Sequence, residues 1–178
     1  MVGASLSRGD NGNANNDNHD HAGTRLTVTL LSGDEEVPAR ETHATGQVKL
    51  KLNPDGQSVD YVLDVKNITN ITQAHIHMAP KGTNGGIVVW LFPSVKATTA
   101  LPGGGGPVGR LLIEGTFSQV DLRGALAGHP LSDLLDAIRA GNTYGNVHTD
   151  DGVAPANTGS GDFPGGEIRG QLDTHGHN

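Results

Sequence analysis

The chain has 178 residues, no cysteine, only 3% aromatic residues and a formal net charge of −7. That length suits one domain with a sizeable core, built here from Val, Leu, Ile and Ala. The acidic balance argues against nucleic acid, since phosphate contact needs a basic surface, and no apolar run approaches the ~20 residues of a spanning helix. Without thiolates, any soft-metal site must rest on His, Met and carboxylates.

Residues 1–24, "MVGASLSRGDNGNANNDNHDHAGT", are polar and lack an apolar h-region. They read as a disordered leader, the linker left at the start of an exported protein once its signal is removed. Period-two patterning begins at residue 25. Leu26, Val28 and Leu30, then Val48, Leu50 and Leu52, then Val59, Tyr61, Leu63 and Val65 alternate as half-buried antiparallel strands should. The "NPDGQS" between the second and third is a hairpin turn, with Pro54 fixing one φ and Gly56 supplying a positive one. "ITQAHIHM" follows, and then "GIVVWLF", whose near-continuous apolar run suits a strand covered on both faces.

After the loop "LPGGGGPVG", "RLLIEGTFS" is a further strand. In "HPLSDLLDAIRAG", Leu131, Leu134, Leu135 and Ile138 recur at helical spacing, Pro130 suits the first turn and Gly141 the stop. "NTYGNVHTD" and "GEIRGQLD" close the chain as strands, before a flexible tail at 174–178 that carries His175 and His177. Seven or eight strands, many turn signals and one short helix predict an all-β fold, an antiparallel Greek-key-like β-sandwich.

The chemistry concentrates in "QAHIHMAP". On a strand successive side chains face opposite ways, so His75 and His77 share one face while Ala74, Ile76 and Met78 take the other. His148 shares a face with Tyr144 and Asn146 on its own strand. If the two strands are neighbours, three imidazoles form a trigonal or T-shaped site with an open position, suited to copper or zinc. His43 is a fourth-ligand or outer candidate, and Tyr144 and Asn146 are positioned to orient a ligand or a bound water. The competing reading is a strand that carries two histidines by chance. The tail pairs His19/His21 and His175/His177 sit on flexible segments, where chelation would cost ordering entropy.

Elsewhere, Glu167 and Arg169 alternate on one face and invite a cross-strand ion pair; Arg169 is alternatively an anion-steering group. Asp34, Glu35 and Glu36, like Asp150 and Asp151, lack full calcium-loop spacing and read as solvated turns. No G-x-S-x-G elbow and no phosphate-loop Gly-Lys-Ser/Thr ending is present.

Four separated stretches, "LLSGDEEVPARETHATGQVKLKL", "AHIHMAPKGTNGGIVVWL", "LLDAIRAGNTYGNVHTD" and "GGEIRGQL", resemble in that order the CHRD domain, which is named for its occurrence in chordin and stands alone in many microbial exported proteins. The resemblance covers about residues 25–173. It implies an extracellular or cell-envelope β-sandwich, and in the animal proteins a growth-factor-binding architecture. The segment "DDGVAPANTGSGDFPG" is longer than the family pattern, and is either a roof over the histidines or a tolerated surface insertion. The H-x-H strand is also similar to the copper strand of copper/zinc superoxide dismutase. After His77 the next histidine is His129, so nothing matches that family's zinc-binding loop, and a mononuclear site is the expectation.

Two functions therefore stand. One is an exported metalloprotein holding a single copper ion, with zinc as the alternative, through His75, His77 and His148. Such a protein would store or deliver the ion or act as a simple superoxide dismutase-like oxidoreductase on superoxide or another small anion. The other is a metal-free extracellular module that binds a protein or matrix partner.

Overall fold

The computed structural model describes residues 24–174. The expectations for the leader up to residue 23 and for the histidines of both tails lie outside the described residues.

All eight anticipated strands are present: β1 (Thr24–Ser32), β2 (Thr45–Leu52), β3 (Ser58–Ile68), β4 (Ile71–Met78), β5 (Gly86–Phe92), β6 (Gly109–Ser118), β7 (Thr143–Thr149) and β8 (Ile168–Leu172). Among the described residues there is one α-helix, α1 (Leu131–Arg139), between β6 and β7. Every pairing is antiparallel, in one continuous sheet of order β5-β4-β7-β8-β1-β2-β3-β6. The two layers expected of a sandwich are the two halves of this sheet, rolled until its edge strands β5 and β6 approach each other. Tyr61, from β3, donates its hydroxyl to Leu91 O of β5 at 2.8 Å, a contact only a rolled sheet allows.

The core fills the interior with aliphatic side chains, as the low aromatic content requires. Val48, Leu50, Val59, Leu63 and Val65 come from one half, and Ile76, Val147, Ile168 and Leu172 from the other. Leu131, Leu134, Leu135 and Ile138 of α1 join the same cluster. Gly141 ends the helical segment with φ 66, a left-handed value that glycine adopts without a Cβ penalty. The β2–β3 hairpin closes as its sequence indicates, with Gly56 N donating to Asn53 O at 2.9 Å and Gly56 at φ 69.

Two strands depart from simple alternation. In β1 the pairing with β2 skips Leu26, since Arg25 opposes Lys51 and Thr27 opposes Leu50. This bulge shifts the phase by one residue. Leu26 lies in the core as expected, but beyond the bulge the expectation for Val28 and Leu30 is corrected: Thr27, Thr29 and Leu31 are buried, Val28 is half-buried and Leu30 is 69% exposed. The buried hydroxyls are satisfied in series, Thr27 to Thr29 at 3.0 Å and Thr29 to Gln171 O at 3.2 Å. In β5 two residues, Val88 and Leu91, are skipped against β4. With its outer carbonyls capped by Tyr61 and by Arg123 N, the run from Val88 to Phe92 is buried throughout.

The seam between the halves is β8 against β1, where the paired register reduces to Ser32 opposite Arg169. Gly170 makes this approach possible, because a Cβ there would run into Leu30 O and the Thr29 methyl. Gly170→Ala should destabilise the protein by about 1–3 kcal/mol, the usual cost of overpacking. The check is the shift in urea midpoint, and an unchanged midpoint would show that the seam can open without penalty.

Candidate metal centre

On β4, β7 and β8 the face turned away from the aliphatic core carries polar side chains in cross-strand rows. His75 opposes Asn146, which opposes Arg169; His77 opposes Tyr144, which opposes Gln171. His148 opposes Gln73, one diagonal step from His75. A solvent-facing sheet surface would tolerate such residues trivially, but this one is covered. His75, His77, Asn146, His148, Glu167 and Arg169 are all buried, beneath the β4–β5 connection, the segment after β1 and the last part of the 150–166 loop.

The histidine adjacency anticipated for neighbouring strands is present. One ring nitrogen from each of His75, His77 and His148 lies within 4.8 Å of the others. The hydrogen bonds behind the rings assign the tautomers. His77 donates from Nδ1 to Gly85 O at 2.9 Å, and His148 from Nδ1 to Pro164 O at 2.9 Å. Each ring therefore keeps its lone pair on Nε2. The Nε2 of His148 lies 3.3 Å from Nδ1 of His75, and the Nε2 of His77 is buried with no partner. Two nitrogens bound at 2.0–2.1 Å to one tetrahedral ion are about 3.3 Å apart, so the His75–His148 spacing already suits a shared metal.

Burial depresses the basicity of all three rings. His75 falls to about 2, first through desolvation and then through its two neighbouring rings; His148 falls to about 4, mainly through desolvation. His77 is also lowered by desolvation, opposed by its bond to Gly85 and assisted by the Arg169 charge. The rings are neutral at physiological pH, as ligation requires.

The surrounding groups hold this arrangement rigid. Tyr144 stacks on His77, with centroids 4.8 Å apart and planes 9° apart, and the Arg169 guanidinium carbon lies 3.4 Å from the Tyr144 centroid on its other side. Gly85 N donates to Tyr144 Oη at 3.1 Å, so one glycine anchors both Tyr144 and His77. Trp90, opposite His75 on β5, meets that ring edge to face at 4.2 Å.

Other expectations need correction. Arg169 forms no ion pair with Glu167. Glu167 accepts from Thr42 Oγ1, Thr149 Oγ1 and Gly161 N at 2.6, 2.6 and 2.9 Å, tying the covering loops to β8. Arg169, 1% exposed, spends its donors on Asn84 Oδ1 and Thr83 O. What it can offer a nearby anion is its field. His43 is exposed and outside the triad, because Ala44 rather than His43 turns inward at the start of β2. Glu36 is no solvated turn residue. It is 6% exposed, accepts from Asn146 Nδ2 at 3.4 Å, and is raised to about 7 by desolvation.

Glu36 and Trp90 were therefore missed as parts of this face. One was hidden in an acidic run and the other in an apolar run, and no local pattern separates them from their neighbours. The long loop divides: residues 152–158 are exposed, whereas Asp162 and Phe163 are buried and Pro164 roofs His148.

The CHRD domain family model matches residues 27–172. The chain belongs to the CHRD-domain family. No curated protein and no solved structure matches it. The family match takes in most of β1, all of β2 to β8 and both sides of the histidine centre, so the centre lies within the CHRD domain itself. Among the described residues, no helix is long and apolar enough to cross a membrane.

The buried groups make opposite pH statements for the metal-free protein. Histidines depressed below an unfolded value of about 6.5 bind protons only after unfolding, so their stabilisation is lost as pH falls below about 6.5. Glu36, raised from 4.5 to about 7, stabilises the fold below 4.5 and loses that contribution as pH rises through 7. Glu36→Gln should therefore gain melting temperature relative to the parent at pH 8 and none at pH 4. A constant difference across that range would show that Glu36 does not titrate as its burial requires.

Proposed function

We propose that this CHRD domain holds one copper ion through Nδ1 of His75, Nε2 of His77 and Nε2 of His148, in an extracellular or envelope setting. The observation that supports the reading most strongly is the pinning of His77 and His148. Each has its rear nitrogen held by a backbone carbonyl, which leaves the Nε2 lone pairs turned into a buried interior, that of His77 with no partner. Buried lone pairs without partners are costly, and a metal removes that cost. An all-imidazole set favours copper among the divalent first-row ions and also accommodates Cu(I); zinc is the alternative ion. The family membership supports the extracellular setting.

The reading covers storage or delivery of the ion and a superoxide dismutase-like activity. Dismutation moves one electron between two superoxide ions, one leaving as dioxygen and the other, with two protons, as hydrogen peroxide. The burial of the histidines favours a small reactant, and the nearby Arg169 charge favours an anion.

Copper-loaded protein should carry one tightly bound Cu(II) whose paramagnetic resonance shows nitrogen hyperfine structure. His75→Ala/His148→Ala should lose at least about 100-fold in affinity while keeping the parent fold, since the metal adds to a sheet that already has its core. Alanine at both tail pairs should change nothing. If copper accelerates superoxide loss, His148→Ala should abolish the effect; failure to do so would assign the activity to loosely held copper. Equal weak binding in parent and double variant would leave the family's other reading, a metal-free module that binds a protein or matrix partner.

A further inference from the structure

A second cluster of ligating groups lies outside the histidine centre, at the two ends of the 150–166 loop. Asp150 and Asp151 follow β7 directly, and Asp162 begins the buried return arm. One carboxylate oxygen from each lies within 4.8 Å of the others. Among the described residues no Lys, Arg or His nitrogen lies within 4 Å of any of these carboxylates. Three like charges at that separation repel one another.

Asp162 is the decisive member. It is 2% exposed, and its Oδ2 accepts from Thr158 N and Thr158 Oγ1, both at 2.8 Å. Its Oδ1 has no hydrogen-bond partner at ordinary distance, and the backbone N–H groups of Asn157 and Asp151 only assist Thr158 in holding the carboxyl below its usual range. Asp150 and Asp151 each commit Oδ1 to a following backbone N–H, at 2.6 Å from Gly152 and 2.8 Å from Val153, and keep a second oxygen available. A buried carboxylate oxygen with unmet lone pairs, beside two further carboxylates and without a cationic side chain, calls for a cation.

We propose that Asp150, Asp151 and Asp162 form a calcium site that clamps the two ends of the 150–166 loop. Calcium takes oxygen ligands at 2.3–2.6 Å in flexible geometry, so oxygens about 5 Å apart can lie on opposite sides of one ion, whereas magnesium requires a tighter octahedron. An oxygen-only set also discriminates against the copper expected at the imidazoles, which keeps the two centres independent. The clamp sits at the base of the roof. Phe163 N donates to Thr149 Oγ1 at 3.0 Å, and Pro164 O receives His148, so the ion would stiffen the arm that covers the histidines.

The test is titration of the full chain with Ca²⁺ by calorimetry, together with hydrogen exchange across residues 150–166. Expected are one site in the range of extracellular modules, about 10⁻⁴–10⁻³ M, slower exchange in the loop, and a much weaker response to Mg²⁺. Asp162→Asn and Asp151→Asn should each weaken binding about tenfold or more, because affinity follows ligand charge. If Asp162→Asn does not fold, the half-exposed Asp151→Asn decides alone. No heat and no change in exchange at millimolar Ca²⁺, binding that survives in both variants, or an equal response to Mg²⁺ would overturn the assignment.

Discussion

A buried neutral imidazole has its lone pair fixed on one chosen nitrogen when the other is held as a donor, and the covered face of this domain arranges this for two of its three histidines. Gly85 O and Pro164 O play the part for His77 and His148. Both acceptors lie on loops, so the loops must be docked with strand-like precision. Gly85 can reach His77 because it has no side chain: a Cβ there would strike Met78 O. Gly166, at φ 126, turns the chain from the Pro164 arm into β8, where any Cβ would collide with Glu36 and Asn146. These glycines serve close approach and backbone reversal, in contrast to those of the exposed loops.

The two faces of β4, β7 and β8 thus follow different rules. Ile76, Val147 and Ile168 join the aliphatic core and are interchangeable in kind, since volume and apolarity decide their fit. The opposite face is held by directional contacts: Tyr144 against His77, Trp90 against His75, and Glu167 bridging Thr42, Thr149 and Gly161. Substitutions there leave buried partners unpaired, which costs more than the contact itself contributes. The polar face therefore tolerates less change than the aliphatic one.

Much of this was legible in the sequence because strand alternation is a two-residue rule. It gave the eight strands, the shared face of His75 and His77, and the shared face of Tyr144, Asn146 and His148. It failed where a non-local or single-residue event intervened. The bulge at Leu26 exchanged the faces of the rest of β1, from Thr27 onward, an outcome that pairing with β2 decides. Whether β7 lies beside β4 depends on β5–β6 and α1 lying outside that pair, and no motif encodes it. Glu36 is buried because Asn146 and the return arm close over it, and Asp162 joins Asp150 and Asp151 because the loop folds back. His43 shows the reverse error, a histidine near a strand start whose direction local pattern did not settle.

Arg169 illustrates how one buried charge can serve the neutrality of others. Guanidinium does not deprotonate in a protein, so its burial is tolerable only where its N–H groups and planar face are all engaged. Asn84, Thr83 and Pro80 take bonds from its two terminal nitrogens, and the Tyr144 ring takes its planar face. Once fixed, its charge acts on two titratable neighbours in opposite senses. It lowers the proton affinity of His77, and it also lowers that of Glu36, against the stronger effect of desolvation. The first effect keeps a ligand nitrogen free of protons, and the second keeps the carboxyl close to neutral pH instead of permanently protonated. Lysine would supply the charge but neither the planar stack on Tyr144 nor the forked contact to the 80–86 loop, and the loop position on which His77 depends would be lost with it.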